Sequence, residues 1–274
     1  MQIMKVCVFC GKSPPEVKIT REHVLRNRFN KVFTHAWGEM DWNQKYVDKT
    51  TGEFIVVNRK IPQSPFDQTI NDVCKICNEG WLNVQVEQPV EKYLDCMVLG
   101  KDVKVDVEAC ALLSRWSAKT AAVRGLVDPP PYATTAEEFR WLMEELKPIP
   151  NTHIWLGRSE ARTKTYVRHL KLKHVCSYVY MPRMPTTYGH LTTIAIGNMV
   201  VFVLACSSTK MFNELQMTVN EFKKAPLKKI YPEGLNFNFH DLPEISHSWV
   251  VHLSSTTNDA KPKPLVVWFA GADI

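Results

Sequence analysis

Val73-Cys74-Lys-Ile-Cys77-Asn78-Glu79-Gly80-Trp81 decides how this chain is read, because its two thiols, two residues apart, have a counterpart in Cys7-Val-Phe-Cys10-Gly11-Lys12. Thiolates at that spacing grip one ion from a tight knuckle, and two knuckles complete the tetrahedral shell preferred by structural zinc. A redox motif would need one such pair near a βαβ pattern, and here there are two. Iron fits the same sulfur cage and stays open beside zinc. The 63 residues between Cys10 and Cys74 exceed a compact finger's spacing, so the ion ties the chain's start to a later element and encloses an insertion. Gly11 stands where a chain wrapping a metal needs a positive φ. Cys96, Cys110, Cys176 and Cys206 lie singly in apolar stretches and read as buried free thiols.

Working outward, Glu22-His23 lies between the two cysteine pairs. Imidazole is the side chain best suited to take a proton from water near neutral pH. In an extended segment Glu22 and His23 face opposite sides, so Glu22 is placed to hold a hard cation while His23 faces the attacking water. The other eight histidines read as hydrogen-bonded structural residues.

The pattern after Cys74 is helical to Leu99, with Trp81, Val84, Val90, Leu94 and Met97 on one face and Pro89 forcing a kink. Leu112, Leu113, Trp116, Thr120 and Val123 predict a second helix, ended by Gly125 and Pro129-Pro130-Pro131. That proline run is the expected domain boundary, dividing residues 1–130 from a C-terminal domain over 131–274. Thr135-Ala-Glu-Glu138 opens a third helix as a capping box. Beyond Pro150 the pattern turns to strands: Ile154-Trp155-Leu156, Tyr166 to Tyr180, a hairpin across Gly197-Asn198, Trp249-Val-Val-His252 and Leu265-Val-Val-Trp-Phe269. Inside the early insertion, Lys45-Tyr-Val and Phe54-Ile-Val-Val57 flank a turn at Thr50-Thr-Gly52-Glu, with Pro62 and Pro65 in a following loop and Trp37 and Trp42 packing the insertion down.

The formal charge of +6 is a mild basic bias, compatible with a polyanion and too common to identify one. Arg158 to His174 supplies much of the excess, with Lys171 and Lys173 on one strand face, and Arg26, Arg28 and Lys31 follow the Glu-His dyad. Each cluster reads equally as a solvated face or a phosphate contact. No apolar run approaches the roughly 20 residues needed to cross a bilayer. Met1-Gln-Ile-Met-Lys-Val leads directly into the first knuckle, without a signal-peptide pattern. The expectation is a cytoplasmic protein without a membrane partner.

In its Cys7-x-x-Cys10-Gly11, Ile19-Thr-Arg21-Glu22-His23-Val24 and Val73-Cys74-x-x-Cys77-Asn78-Glu79-Gly80-Trp81 segments the chain resembles the HNH endonucleases, in the zinc-knuckle branch of the ββα-metal fold. The resemblance covers roughly the first 90 residues. It implies an α+β protein: a zinc-stapled ββα-metal nuclease core, then helices and a mixed, largely β C-terminal domain. By resemblance, Glu22 matches the acidic metal ligand, His23 the general base and Asn78 the last metal-binding position. The family's middle Asn, which orients the base, lies nine residues before the last position; here that place is Thr69, with Asn71 two residues on. The implied activity is hydrolysis of nucleic-acid phosphodiesters, DNA rather than RNA, with a structural zinc and a catalytic magnesium or manganese held by Glu22 and Asn78. Arg21, Arg26, Arg28, Lys171 and Lys173 are the candidate nucleic-acid contacts. The alternative is a non-catalytic, zinc-stapled nucleic-acid-binding module. A protein partner or a second copy of the chain would meet the C-terminal domain.

Overall fold

The computed structural model describes residues 5–32, 40–47, 54–162, 164–174, 187–254 and 272–273. Trp37, Cys176, the turn at residues 50–53 and the strand expected at residues 265–269 lie outside them, as do the side chains of Trp42 and Lys173.

The chain begins with the first cysteine knuckle and enters β1 (Ile19–His23) and a short α1 (Phe29–Val32). The insertion supplies β2 (Met40–Val47) and β3 (Phe54–Ile61), paired antiparallel as the alternating sequence requires. Pro65 then starts a single 3-10 turn, capped by the Ser64 hydroxyl, which accepts from the Phe66 N–H. β4 (Thr69–Cys74) returns antiparallel to β1. Its register slips where Arg21 faces Asn71 and Asp72, a bulge that places one extra residue on β4.

β4 runs straight into helix: α2 (Lys75–Cys77), a π-helical segment (Asn78–Glu87) and α3 (Gln88–Val98). The departure from helical geometry comes at Gly80 and not at Pro89. Pro89 sits in the first turn of α3, where its missing N–H costs nothing, and Gly80 leaves helical geometry at ψ −112°. After β5 (Lys104–Val105) comes α4 (Val107–Gly125), N-capped by Asp106, whose carboxylate accepts from the Ala109 N–H. Every residue of α4 from Trp116 to Gly125 is buried. Thr135 and Glu138 form the expected capping box at the start of α5 (Ala136–Glu145).

The second half is built on one sheet. β6 (Thr152–Ser159), β7 (Thr165–His174), β8 (Thr187–Ile196) and β9 (Met199–Cys206) stand in the order β6-β9-β8-β7, all neighbours antiparallel. Gly197, at φ +55°, turns the β8–β9 hairpin. α6 (Thr209–Glu214) and α7 (Gln216–Lys224) follow, then β10 (Lys228–Tyr231) on the outer edge of β6. β11 (Phe237–Asn238) pairs with β5, and β12 (Glu244–Ile245) lies parallel to β6. The segment Trp249–His252 is helical, within α8 (His247–Leu253), instead of the strand its β-branched residues suggest. Ser246 decides this locally by accepting from the Trp249 N–H as an N-cap. β13 (Ala272–Asp273) pairs with β2.

The sheet is covered on both faces, which explains why β8 and β9 read as continuous apolar runs. Ile154, Leu156, Val167, Ile194, Val201 and Val203 belong to the core that also holds α4 and the cysteine knuckles. Trp155, Leu170, Phe202 and Leu204 face a second core formed with α6, α7 and α8. The first core does not divide at the proline run. Phe9, inside the first knuckle, packs edge-on against Trp81 at 4.9 Å and against Phe139 of α5 at 5.3 Å. The protein is thus mixed helix and sheet, and no helix among the described residues is long and apolar enough to cross a membrane.

Candidate metal centre and the adjoining histidine

The four cysteines meet. Sγ atoms of Cys7, Cys10, Cys74 and Cys77 all lie within 4.8 Å of one another. A tetrahedral ion about 2.3 Å from each sulfur separates them by about 3.8 Å, and Cys10 and Cys74 stand 3.7 Å apart. The local fold holds that geometry through the backbone. Gly11 takes φ +71° and closes the first knuckle by donating its N–H to the Cys7 carbonyl at 2.9 Å. Cys74 N–H donates to the Cys7 sulfur at 3.3 Å and Cys77 N–H to the Cys74 sulfur at 3.4 Å, as suits thiolates. The Cys77 thiol, with backbone N–H groups, pulls Cys7 down to about 4 against the effect of burial. Its bond to Cys7 and then burial push Cys77 up. This donor set fits zinc; a metal would replace thiol protons, so its affinity falls as pH falls.

Beside the cluster, β1 carries the dyad on two faces. His23 is half-buried, sits across from Thr69 in the β1–β4 register and has no hydrogen-bond partner among the described residues. Neither Thr69 nor Asn71 bonds its ring; Asn71 is exposed at the bulge, its carbonyl accepting from Lys5 Nζ at 3.2 Å. Asn78, the first residue after the knuckle, reaches back across the sheet. Its side-chain nitrogen donates to the Arg21 carbonyl at 2.8 Å and to Thr20 Oγ1 at 3.3 Å, and its Oδ1 remains uncommitted among the described residues.

Glu22 points the other way, into the protein, and is 5% exposed. Its carboxylate meets the Lys119 ammonium of α4 at 2.5 Å, and Lys119 also donates to Glu87 at 2.8 Å. Burial pushes Glu22 up, opposed by Lys119 and reinforced by Glu87. For Lys119 burial pulls down, but the two carboxylates together outweigh it and hold the ammonium charged. Sequence reasoning passed over Lys119. The available signal was one lysine between Ala118 and Thr120, inside the apolar stretch of a helix that is buried from Trp116 to Gly125.

The expected nucleic-acid contacts separate. Arg26 pairs with Glu87 at 3.4 Å and with Glu91, and donates to Asn83 at 2.9 Å; Arg28 pairs with Glu91 and with Asp95 at 2.5 Å. Glu87, Glu91 and Asp95 recur every four residues, so one helical stripe takes both arginines. Lys171 donates to the carbonyls of Pro129 and Pro131 at 3.2 and 2.9 Å, clamping the proline run. Arg21 alone of these four is exposed without a side-chain partner among the described residues, on the sheet face of His23.

No family model, curated protein or solved structure matches this chain.

Proposed function

We propose that the protein hydrolyses nucleic-acid phosphodiesters, DNA before RNA, at His23. The observation that supports this most is the joint placement of three groups. An imidazole that is half-buried and has no hydrogen-bond partner among the described residues stands on β1, Asn78 spans from the helix start to that strand, and the four-cysteine cluster lies beside both. Two antiparallel strands followed directly by a helix is the element order the ββα-metal reading requires.

In this reading His23 takes a proton from water as the water oxygen attacks phosphorus, the P–O3′ bond breaks, and the 3′ oxygen leaves to be protonated by solvent. Arg21 contacts a neighbouring phosphate, which positions the backbone without reading sequence. Asn78 fixes β1 and offers its Oδ1 to a hard ion. A magnesium or manganese ion held there would supply positive charge against the phosphate oxygens. A zinc ion in the cysteine cluster would be structural. A binding-only module draws less support, since Arg26, Arg28 and Lys171 are all engaged internally.

The test is nicking of supercoiled plasmid by zinc-loaded protein, with magnesium omitted and then restored so that the sulfur site stays filled. Magnesium-dependent nicking is expected, with His23→Ala reducing it by about 100-fold or more at unchanged zinc content. Equal nicking by the variant rejects His23 as the base. Arg21→Ala is expected to weaken DNA binding and lower its salt-dependence slope by about one.

A further inference from the structure

Lys119 is 1% exposed on its side chain, yet its ammonium touches two carboxylates carried by different elements, Glu22 of β1 at 2.5 Å and Glu87 of the π-helical segment at 2.8 Å. Two carboxylates, Glu22 buried and Glu87 largely so, converge on one point and form a seat for a hard cation, and here the seat is filled by the protein itself. A divalent ion needs an oxygen at about 2.1–2.5 Å. On this Glu22 oxygen it would stand within a few ångströms of the ammonium, where like charges in a poorly solvated interior repel strongly. The ammonium is almost fully withdrawn from water, on a part of α4 whose residues from Trp116 to Gly125 are all buried. Glu87 is in turn held by Arg26, so the seat is braced from outside as well.

We infer that Lys119 is a positioning residue: it fills the cation seat between Glu22 and Glu87 and locks β1 beneath His23, so that Glu22 is not a ligand of the divalent ion. This departs from what the family resemblance implies for Glu22. The role assigned to β1 in the reaction rests on the phosphodiesterase reading; the commitment of Glu22 to Lys119 does not.

Two measurements on the zinc-loaded full chain decide it. In wild-type protein, the Lys119 ammonium is followed by ¹H–¹⁵N NMR during a magnesium titration. It is expected to stay protonated and slowly exchanging through the whole range, and its displacement by the ion overturns the inference. Glu22→Gln keeps the shape and an acceptor for Lys119 while removing the charge. Its turnover is expected to fall about tenfold, with the half-saturating magnesium concentration moving less than about twofold. A rise in that concentration of about tenfold or more, the size of loss that removing a group from the ion's coordination surroundings brings, overturns it. If wild-type protein cleaves nothing, the phosphodiesterase reading fails alone, and the NMR titration still decides where Glu22 is committed.

Discussion

His190 and His169 carry the molecule's clearest pH dependence. Both are buried where β7 and β8 pack against α4, each within hydrogen-bond reach of Thr192 Oγ1, at 2.9 and 2.8 Å. Burial holds His190 down at about 4, and burial with the neighbouring His190, Arg124 and Lys171 charges holds His169 well below its ordinary value. The folded protein keeps both neutral while the unfolded chain protonates them below about 6.5. Unfolding thus takes up protons in that window, and stability is full above it and lost as pH falls toward 4. His190 alone contributes a loss of about 3 kcal/mol across the window. Denaturant titrations from pH 7 to 4.5 should show that slope, and His190→Gln should flatten it; an unchanged slope in the variant removes His190 as the source. The structural reading of histidines outside the dyad holds for these two. The function of Lys119 was not legible in the same way. A charged residue's partner is set by which strand and helix fold over it, and Glu22 and Glu87 lie far from it in the chain.

Caps and turn residues were the legible part of the elements. The Thr135 capping box, the Gly197 turn and Gly11 in the first knuckle all stand where local chemistry placed them, because each depends on contacts within a few residues. Thr135→Ala is expected to cost about 1 kcal/mol, read as a shift in denaturation midpoint at constant m-value. Trp249–His252 went the other way. Its β-branched run reads as strand, but Ser246 caps a helix whose Val250 and Leu253 enter the second core, so packing outvoted propensity. Gly189 shows a constraint invisible in sequence: a Cβ there would stand 2.6 Å from the Ala205 carbonyl oxygen on β9. Gly189→Ala must therefore part β8 from β9 and should cost about 1–3 kcal/mol or more. A midpoint within experimental error of wild type would show that the hairpin yields freely.

At the scale of the whole molecule, the proline run marks a bend in the chain and leaves the first of the two cores undivided. Phe9 against Phe139, and α4 against the sheet, join the cysteine cluster to the second half. Calorimetry of the zinc-loaded protein should accordingly give one unfolding transition; two well-separated transitions would show that the halves melt independently. Structural zinc contributes about 10 kcal/mol or more in small zinc domains, a sum comparable to the whole stability of an ordinary one. Cys77→Ser, or exhaustive zinc removal, should thus lower the melting temperature of the entire protein and not of its first third alone. Prolines report local backbone geometry, whereas a shared core is a property of the fold, and only the first is legible in the sequence. The sulfur clamp has one more consequence. Cys10 and Cys74 close the 63 residues between them into a ring fastened at its neck, with β2 and β3 inside it. The entropy of such a ring grows only logarithmically, about 0.6 kcal/mol for each doubling of its length. Lengthening or shortening the hairpin in that ring is therefore expected to cost little stability and to leave His23 where it stands relative to Asn78.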